Sequence, residues 1–470
     1  MKKTSDKKSS SQFRDAISTV DDSGKRIWIY PKKPSGKFYN KRKLLSYLLL
    51  TLLFVTPFIK IGGNPLLMFN VVERKFIIFG QIFWPQDLYI FALGMVILIL
   101  FVSLFTVVYG RLFCGWICPQ TIFMELVFRR IEYWIEGDWK QQKRLNDGPW
   151  TTDKWLKKIS KQLIFWLISF VIANLFLSYI IGYEVLFQII SEPPSKHIGG
   201  FIAILVFTTL FYLVFSQMRE QVCTVVCPYG RLQGVLLDDE SLTVAYDYKR
   251  GEHRGRFKKN ENRSDTDKGD CIDCGHCVNV CPTGIDIRNG TQLECVNCTA
   301  CMDACDDIMD KVGLEQGLIR LTSTDRIEHK SKFRLTARMK AYSAVLVLLM
   351  CIMTALLLNR SDMEATILRT RGTLFQELEK GQISNLYDIS LVNKTNLALP
   401  VEIKVLDRDA EIQLIGDPLH LNPQDEAKGK FMILIDKEDL ESRKIKLELG
   451  VYSEGKLIEK VKTNFLGPQF

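Results

Sequence analysis

Eight of the 13 cysteines in this chain lie in two short runs that share one spacing. Each run reads C-x2-C-x2-C-x3-C. The first extends from Cys271 to Cys281 and is followed by Pro282, and the second extends from Cys295 to Cys305. This is the spacing of bacterial ferredoxins that hold two [4Fe–4S] clusters. The runs therefore predict a module that carries electrons.

The ferredoxin spacing also predicts which cysteines share a cluster, because the fourth cysteine of each run binds the cluster of the other run. The predicted ligands are Cys271, Cys274, Cys277 and Cys305 for cluster 1, and Cys295, Cys298, Cys301 and Cys281 for cluster 2. A structural zinc site is the alternative, since paired C-x2-C motifs also bind zinc. Two copies of the tight run favour iron–sulfur clusters, and Asp306, at the position that proline has in the first run, leaves every ligand in place.

Four further cysteines form a second repeat. Cys114 and Cys118, and later Cys223 and Cys227, are each spaced as C-x3-C-P shortly after an apolar segment. If the backbone is helical there, the two sulfurs of a pair lie on one helix face, and the proline interrupts the pattern just beyond. Two pairs that face each other would supply four thiolates, which suit Cu(I), zinc or an iron–sulfur cluster.

The alternative for these four cysteines is that they are small buried residues that pack the helices. The neighbouring side chains of Arg111, Arg219 and Arg231 favour the ligand interpretation, because a nearby cation stabilises thiolate over thiol. Cys351 stands alone in a later apolar segment and is predicted to pack. His276 lies between two cluster ligands and is predicted to tune cluster hydrogen bonding or to face solvent.

Other redox cofactors lack their motifs in this sequence. There is no C-x-x-C-H for haem c, no G-x-G-x-x-G after a strand for a nicotinamide or flavin, and no histidine pair within the apolar segments for haem b. The net charge of +9 does not indicate nucleic acid, because the basic residues gather beside apolar segments. We therefore expect two [4Fe–4S] clusters as cofactors and no nucleic-acid partner.

Five apolar segments have the length and composition of membrane helices; they are 44–61, 88–109, 162–182, 198–217 and 341–358. Lys and Arg alternate between the connections, with 13 in 1–43, three in 60–87, ten in 110–161, one in 183–197 and 19 in 219–340. By the positive-inside rule, this predicts a multi-pass protein of a bacterial inner membrane. The N-terminus and both cysteine repeats are expected on the cytoplasmic side.

The predicted organisation is a multi-domain membrane protein. A disordered basic cytoplasmic tail over 1–43 precedes four transmembrane helices within 44–218, which place the C-x3-C-P motifs at the cytoplasmic face. A cytoplasmic two-cluster ferredoxin-type domain over 219–340 and a fifth helix over 341–358 follow. From 359 to 470, short segments of alternating polarity separated by turns predict a periplasmic immunoglobulin-like β-sandwich. We expect that sandwich to bind a partner or to stabilise an assembly.

With these motifs in place, the chain resembles the CcoG/FixG/RdxA family of cytochrome c oxidase accessory proteins. The resemblance covers nearly the whole chain and includes Phe83-Trp-Pro-Gln-Asp87, Phe113-Cys-Gly-Trp-Ile-Cys-Pro-Gln-Thr121, Cys223 to Gln233 and the double ferredoxin run. The C-x3-C-P motifs are shared with the wider NapH/NosR group of membrane electron-transfer proteins. The resemblance implies reduction of Cu(II) to Cu(I) for assembly of the cbb-type oxidase, with catalytic roles for Cys114, Cys118, Cys223 and Cys227.

The expected mechanism passes electrons from a cytoplasmic donor through the two clusters to copper at the C-x3-C-P cysteines. Copper is then a substrate, and these four cysteines are its candidate ligands. The expected partners are the lipid bilayer, copper, the electron donor and oxidase assembly factors or subunits that contact the C-terminal domain. Two alternatives stay open: a quinol-oxidising subunit like the NapH group, and a non-enzymatic scaffold or copper chaperone.

Overall fold

The computed structural model describes the whole chain except residues 1–18, 21–22, 72–74, 258–262, 264–265, 331–333, 335, 362, 371, 373, 379–380, 395–397, 417–419, 424, 441, 454 and 469–470. The chain divides into two compact units, one formed by residues 1–57 and 93–350 and the other by 58–92 and 351–470. Each unit thus draws on two separate parts of the sequence, and each is considered by itself below.

Four helices in the described part of the chain are long and apolar enough to cross a membrane: Leu88–Tyr109, Thr152–Ile181, Ile198–Met218 and Ala337–Leu358. They match four of the five predicted segments. The remaining segment, 44–61, belongs to a helix that starts earlier, at Lys37, and ends at Val55. Pro57 follows in a short 3-10 turn, and Lys60–Ile61 is already a strand. Whether this helix crosses the membrane stays a prediction.

Short helices connect the long ones in the first unit. One antiparallel strand pair has its two strands before and after the ferredoxin runs in the sequence. The strands are Thr243–Tyr246 and Ile319–Thr322. The helices are Leu112–Trp116, Pro119–Ile122, Phe123–Phe128, Arg129–Ile135, Trp139–Asp147, Tyr183–Ser191, Val222–Val226, Pro228–Leu236, Tyr248–Gly251, His276–Asn279, Ala300–Val312 and Thr324–His329. Phe123–Phe128 and Val222–Val226 are π-helical.

The two ferredoxin runs share one backbone conformation. Asp273 and Asn297, each two residues after the first cysteine of a run, both have φ of 52°. Gly275 and Thr299, each directly after the second cysteine, have φ of 69° and 64°. The left-handed backbone conformation at equivalent positions gives the two runs the same turn, although this conformation is energetically costly for threonine. The repeat seen in the sequence is therefore also a repeat in structure.

The part of the predicted disordered tail that the structure describes is ordered, which corrects the prediction for those residues. The Lys32 amide donates to the Asn279 carbonyl at 2.7 Å. The Phe38 and Tyr39 amides donate to the Asp303 carboxylate at 3.0 and 2.7 Å. Asp303 thereby satisfies two of the free amides at the start of helix Lys37–Val55. Residues 1–18 of the predicted tail lie outside the described residues.

In the second unit, two antiparallel sheets share one apolar core. One sheet contains Glu411–Ile415, Glu426–Asp436, Gln382–Asn393, Met363–Arg369 and Gln376–Glu377, and the other contains Glu402–Val405, Lys444–Ser453 and Lys456–Leu466. Tyr387 and Phe431 of the first sheet and Leu447 and Phe465 of the second are fully buried in that core. The predicted two-sheet architecture is therefore present, while its immunoglobulin-like character stays a prediction.

Residues 58–92 add short strands to this second unit, an arrangement that the sequence did not predict. A three-stranded sheet forms from Leu67–Asn70, Lys75–Ile78 and Gln81–Phe83, beside the short pairs Lys60–Ile61 with Asn64–Pro65 and Leu399–Pro400 with His420–Leu421. Asp87 then links distant parts of the chain. Its carboxylate accepts from Arg360 at 2.7 Å and from Lys394 at 2.8 Å, and all three side chains are buried.

Candidate iron–sulfur and dithiol sites

The eight ferredoxin cysteines line two neighbouring cavities. One cavity is lined by Cys271, Cys274, Cys277 and Cys305. The other is lined by Cys281, Cys295, Cys298 and Cys301, with Cys277 also at its wall. The two linings contain the two sets of four cysteines that the crossover rule grouped. Cys277 borders both cavities, so two clusters held there would be close neighbours.

Burial dominates the acid–base behaviour of these thiols. It raises the pKa of Cys277, Cys295 and Cys305 to about 12 and that of Cys298 to about 11. A thiolate is the form that binds metal. Cluster insertion must therefore expel protons, and the positively charged iron–sulfide core then offsets part of the negative charge of the four thiolates.

The two C-x3-C-P motifs fold alike, but not as the predicted helical i, i+4 pairs. In both motifs, the second cysteine leaves the preceding helical turn, with φ and ψ of −58° and 123° at Cys118 and −71° and 110° at Cys227. Pro119 and Pro228 then begin new helices. The cause is the proline, because its ring pushes the residue before it out of the helical region while its own φ suits the first position of a helix.

The structure brings the four C-x3-C-P cysteines together. Gly230 makes the packing close, since a β-carbon there would lie 2.5 Å from the Cys223 carbonyl oxygen and 3.2 Å from the Arg111 guanidinium. The Arg111 Nε donates to Gln233 Oε1 at 2.9 Å, and the Cys114 thiol donates to the same oxygen at 3.1 Å. Cys223 also lines a small cavity with Gln120 and Thr121, the residues just after Cys118 and Pro119.

The pKa shifts of the C-x3-C-P thiols also indicate that these cysteines are close to one another. Burial and the charges of Cys118, Cys114 and Cys227 raise the pKa of Cys223 to about 12. Burial also raises the pKa of Cys114 and Cys118, although Arg111 acts in the opposite direction on Cys114. Arg111 thus favours the thiolate form of Cys114 and Cys223, as expected, but desolvation outweighs this effect and leaves the pKa of both thiols raised.

Arg219 and Arg231 were also expected to favour the thiolate form of the C-x3-C-P cysteines. Arg219 is occupied by two carboxylates, with 2.9 Å from its Nη1 to Glu132 and 3.6 Å from its Nε to Glu220. The side chain of Arg231 lies outside the described residues. Among the described side chains, Arg111 accompanies the dithiol site, and Arg219 shares the cavity that Cys223 lines.

The first C-x3-C-P motif touches the second ferredoxin run directly. A β-carbon on Gly115 would lie 2.3 Å from the Val296 carbonyl oxygen and 3.0 Å from the Cys298 Cα atom. Cys114 also packs in one buried cluster with Val280, Val296 and Cys298. The dithiol site is therefore adjacent to the cavity predicted for cluster 2, and the three sulfur sites follow one another within the first unit.

Sequence reasoning missed a buried arginine at this junction. Arg42 is 2% exposed, and its Nε donates to the Gly115 carbonyl at 2.7 Å. Its positive charge acts to lower the pKa of Cys298, although burial raises it overall. The signal that could have found it is weak, because Arg42 lies between Lys41 and Lys43 in a basic stretch at the start of an apolar helix, and its buried position is visible only once the chain has folded.

Among the described residues, no three His, Cys, Asp or Glu side chains are close enough to hold a single metal ion. This holds for the ferredoxin cavities as well as for the dithiol site. A tetrahedral S₄ site for one ion needs metal–sulfur distances of about 2.3 Å, whereas a cube of irons spreads its cysteines further apart. Copper ligation by the four C-x3-C-P thiolates therefore stays a prediction.

Comparisons with known proteins agree with these features. Models described as a 4Fe-4S binding domain and a 4Fe-4S dicluster domain match residues 91–141 and 218–324, and the model of the IG-like fold at the C-terminus of FixG matches 353–468. The chain is 35% identical to Protein RdxA of Cereibacter sphaeroides, over 78% of this chain and 80% of that protein. It is 34% identical to Protein RdxB of the same organism, over 84% of this chain and 85% of that protein.

The chain belongs to the FixG/RdxA family. It is also 38% identical to the nitrogen fixation protein FixG of Rhizobium meliloti, over 63% of this chain and 57% of that protein. Family membership and the four apolar helices identify a membrane protein. As a FixG/RdxA-type protein with ferredoxin cavities, it is an iron–sulfur electron-transfer protein.

Proposed function

We propose that this FixG/RdxA-type protein reduces Cu(II) to Cu(I) in assembly of a cbb-type cytochrome c oxidase. The observation that carries the proposal is the adjacency of three sulfur sites. Cys277 borders both ferredoxin cavities, and the first C-x3-C-P motif packs against Cys298 of the second. An electron that enters at cluster 1 would therefore have a continuous route to the dithiol site.

Each end of this route has some access to solvent. Cys274, at the cavity of cluster 1, is exposed, so a soluble low-potential one-electron carrier could donate there. Cys223 and Cys227 are half-buried, and the neighbouring Val225 and Val226 are exposed. Each turnover would oxidise one donor molecule by one electron and reduce one Cu(II) to Cu(I). No proton transfer is needed for that balance.

The proposed topology places the N-terminus and all three sulfur sites on the cytoplasmic side of the inner membrane. The C-terminal two-sheet domain would then lie in the periplasm. The distribution of Lys and Arg in the connections supports this orientation. We propose that the C-terminal domain contacts subunits or assembly factors of the oxidase, since no cysteine occurs beyond Cys351 and the chemistry belongs to the other unit.

The test uses full-length protein purified without oxygen and reduced with dithionite, which is then removed. We expect added Cu(II) to reoxidise the clusters and to give an equal number of Cu(I) ions, counted with a Cu(I)-specific chelator. The double variant Cys118→Ser/Cys227→Ser should form little Cu(I) while its ferredoxin clusters stay reduced. Cys351→Ser, in the helix Ala337–Leu358, is the matched control.

Rapid Cu(I) formation in the double variant would refute the role of the dithiol site. Slow reoxidation by Cu(II) together with fast cluster reduction by a quinol would favour the quinol-oxidising alternative. Slow reaction with both would favour a scaffold.

A further inference from the structure

We infer that Cys114, Cys118, Cys223 and Cys227 together hold a third resident iron–sulfur cluster of the [4Fe–4S] type. This inference deepens the proposed function and relies on it for the direction of electron flow. We infer the cluster itself independently, from the ligand set, the charge and the unsatisfied donors of the dithiol site.

The dithiol site shares its type and number of ligands with each ferredoxin cavity. It has four cysteines from two copies of one motif, and no three of them, among the described residues, converge on a single ion. The eight ferredoxin cysteines have the same property. Four soft thiolates that are gathered in this way fit a polynuclear iron–sulfur centre, for which four cysteines is the usual ligand number.

The charge of Arg111 indicates an anion at this site. Arg111 is 3% exposed, and no carboxylate pairs with it among the described residues. Arg129 and Arg219 are buried to a similar degree, but glutamates pair with both. A buried cation without a counter-charge is costly. A [4Fe–4S] centre with four thiolate ligands is a dianion when oxidised and would supply the missing negative charge.

Buried hydrogen-bond donors in the same stretch also lack acceptors. Arg111 Nη1, Trp116 Nε1 and Gln120 Nε2 have no partner among the described residues. Such atoms are rarely left unsatisfied inside a protein. The sulfides and thiolates of a cluster accept hydrogen bonds, and three donors from the segment that carries Cys114 and Cys118 are suited to them.

Insertion of the cluster balances as a thiol exchange with a carrier that delivers the preassembled cube on its own thiolates. Four Fe–S bonds to the carrier break and four form to the cysteines, and the four protons of the cysteine thiols pass to the carrier thiolates that leave. The route of the proposed function then becomes cluster 1, cluster 2, third cluster and Cu(II), with one electron moved at each step. Copper would meet the third cluster beside Cys223 and Cys227 and would not occupy the four-thiolate site itself.

The test is the iron and acid-labile sulfide content of the full-length protein purified without oxygen, with Mössbauer spectra of the same sample. We expect about twelve irons per chain, all as [4Fe–4S]. Cys118→Ser/Cys227→Ser should lose about a third of the iron and keep the two ferredoxin clusters. Cys351→Ser should lose none. About eight irons in the wild-type protein would overturn the inference, and this result does not depend on any variant.

Failure of the inference can be told apart from failure of the proposed function. Twelve irons without Cu(I) formation would keep the third cluster and defeat copper reduction. Eight irons, with one Cu(I) bound per chain in wild type and none in the double variant, would mean that the dithiol site binds copper directly.

Discussion

At the scale of single residues, two buried arginines accompany the sulfur sites. Arg42 lies between the Gly115 carbonyl and Cys298, and Arg111 lies beside Cys114. Neither pairs with a carboxylate among the described residues, and each has a buried guanidinium nitrogen without a partner. A positive charge this close to a redox centre stabilises the reduced form, because reduction adds negative charge.

We predict that Arg42→Gln lowers the midpoint potential of cluster 2. Loss of one buried positive charge should shift the potential negatively by on the order of tens of millivolts, since charge interactions in a protein interior correspond to an effective dielectric constant of about 20. An EPR-monitored redox titration of the full chain measures this. Arg130→Gln is the control, because Arg130 lies one position from the buried Arg129 but pairs with the Tyr47 hydroxyl. Equal shifts in both variants would contradict the assigned role.

At the scale of elements, close packing between the first C-x3-C-P motif and the second ferredoxin run places the sulfur sites along the proposed electron route next to each other. The turn that carries Cys114 has no room for a side chain at Gly115, because the Val296 carbonyl lies against it. The helix Lys37–Val55 begins on the Asp303 carboxylate, which belongs to helix Ala300–Val312. These contacts hold the N-terminal segment, the first C-x3-C-P motif and the second ferredoxin run in one arrangement.

We predict that Gly115→Ala lowers the free energy of unfolding of the cluster-bearing unit by about 1–3 kcal/mol, the usual cost of overpacking. The contact is with backbone, which cannot swing aside as a side chain can, so cluster 2 should also lose occupancy. Iron content and the thermal midpoint of the full chain are the readouts. Gly199→Ala is the control, since a β-carbon there would meet nothing within 4 Å. Full iron content and an unchanged midpoint in Gly115→Ala would count against the close contact.

We predict that Asp303→Ala loosens the start of helix Lys37–Val55. Loss of a helix N-terminal acceptor costs about 1 kcal/mol, so the amides of Phe38 and Tyr39 should exchange their hydrogens roughly fivefold faster. Hydrogen–deuterium exchange with mass spectrometry on a peptide that covers 37–43 measures the change. Asp307→Ala is the control, because the Asp307 carboxylate is exposed and pairs with Lys311 on its own helix. The same acceleration in both variants would show that the cap is not the cause.

At the scale of the whole molecule, distant parts of the sequence build each unit. In the second unit, Asp87 joins strands of 58–92 to the C-terminal sheets through Arg360 and Lys394. These two cations lower the pKa of Asp87 against the opposing effect of burial. Because the folded pKa is below the unfolded one, the stabilisation is complete well above about pH 4 and is lost as the pH falls through the folded value.

We predict that Asp87→Asn lowers the free energy of unfolding of the second unit by about 2 kcal/mol or more at neutral pH, because two buried cations lose their shared carboxylate. Lys394 keeps Glu364 at 2.8 Å, which limits the loss. The difference between variant and wild type should shrink below about pH 4. Infrared spectra recorded during heating measure the unfolding of this unit as the loss of its β-sheet amide I band. A difference that stays constant from pH 3 to 7 would contradict the assignment.

Whether a feature could be predicted from the sequence depends on how far apart along the chain its contacting residues lie. The ferredoxin cysteines lie within 271–305, so spacing was sufficient to predict two sets of four, and the cavities group the same residues. The apolar helices needed only local composition. Arg42 is more than 200 positions from Cys298, and Asp87 is 307 positions from Lys394. No local pattern encodes such pairs, and the order of the N-terminal segment depends on an aspartate in the ferredoxin part.

We propose above all that electrons leave the ferredoxin clusters through the C-x3-C-P cysteines. The most direct measurement mixes fully reduced protein with Cu(II) and freezes samples at successive times for EPR. In wild type, we expect the reduced-cluster signals and the Cu(II) signal to decay together, with one Cu(II) lost for each electron released. In Cys118→Ser/Cys227→Ser, the reduced ferredoxin clusters should persist while Cu(II) remains. Equal decay of these EPR signals in the wild type and the double variant would show that electrons reach Cu(II) by a route that does not involve the C-x3-C-P cysteines.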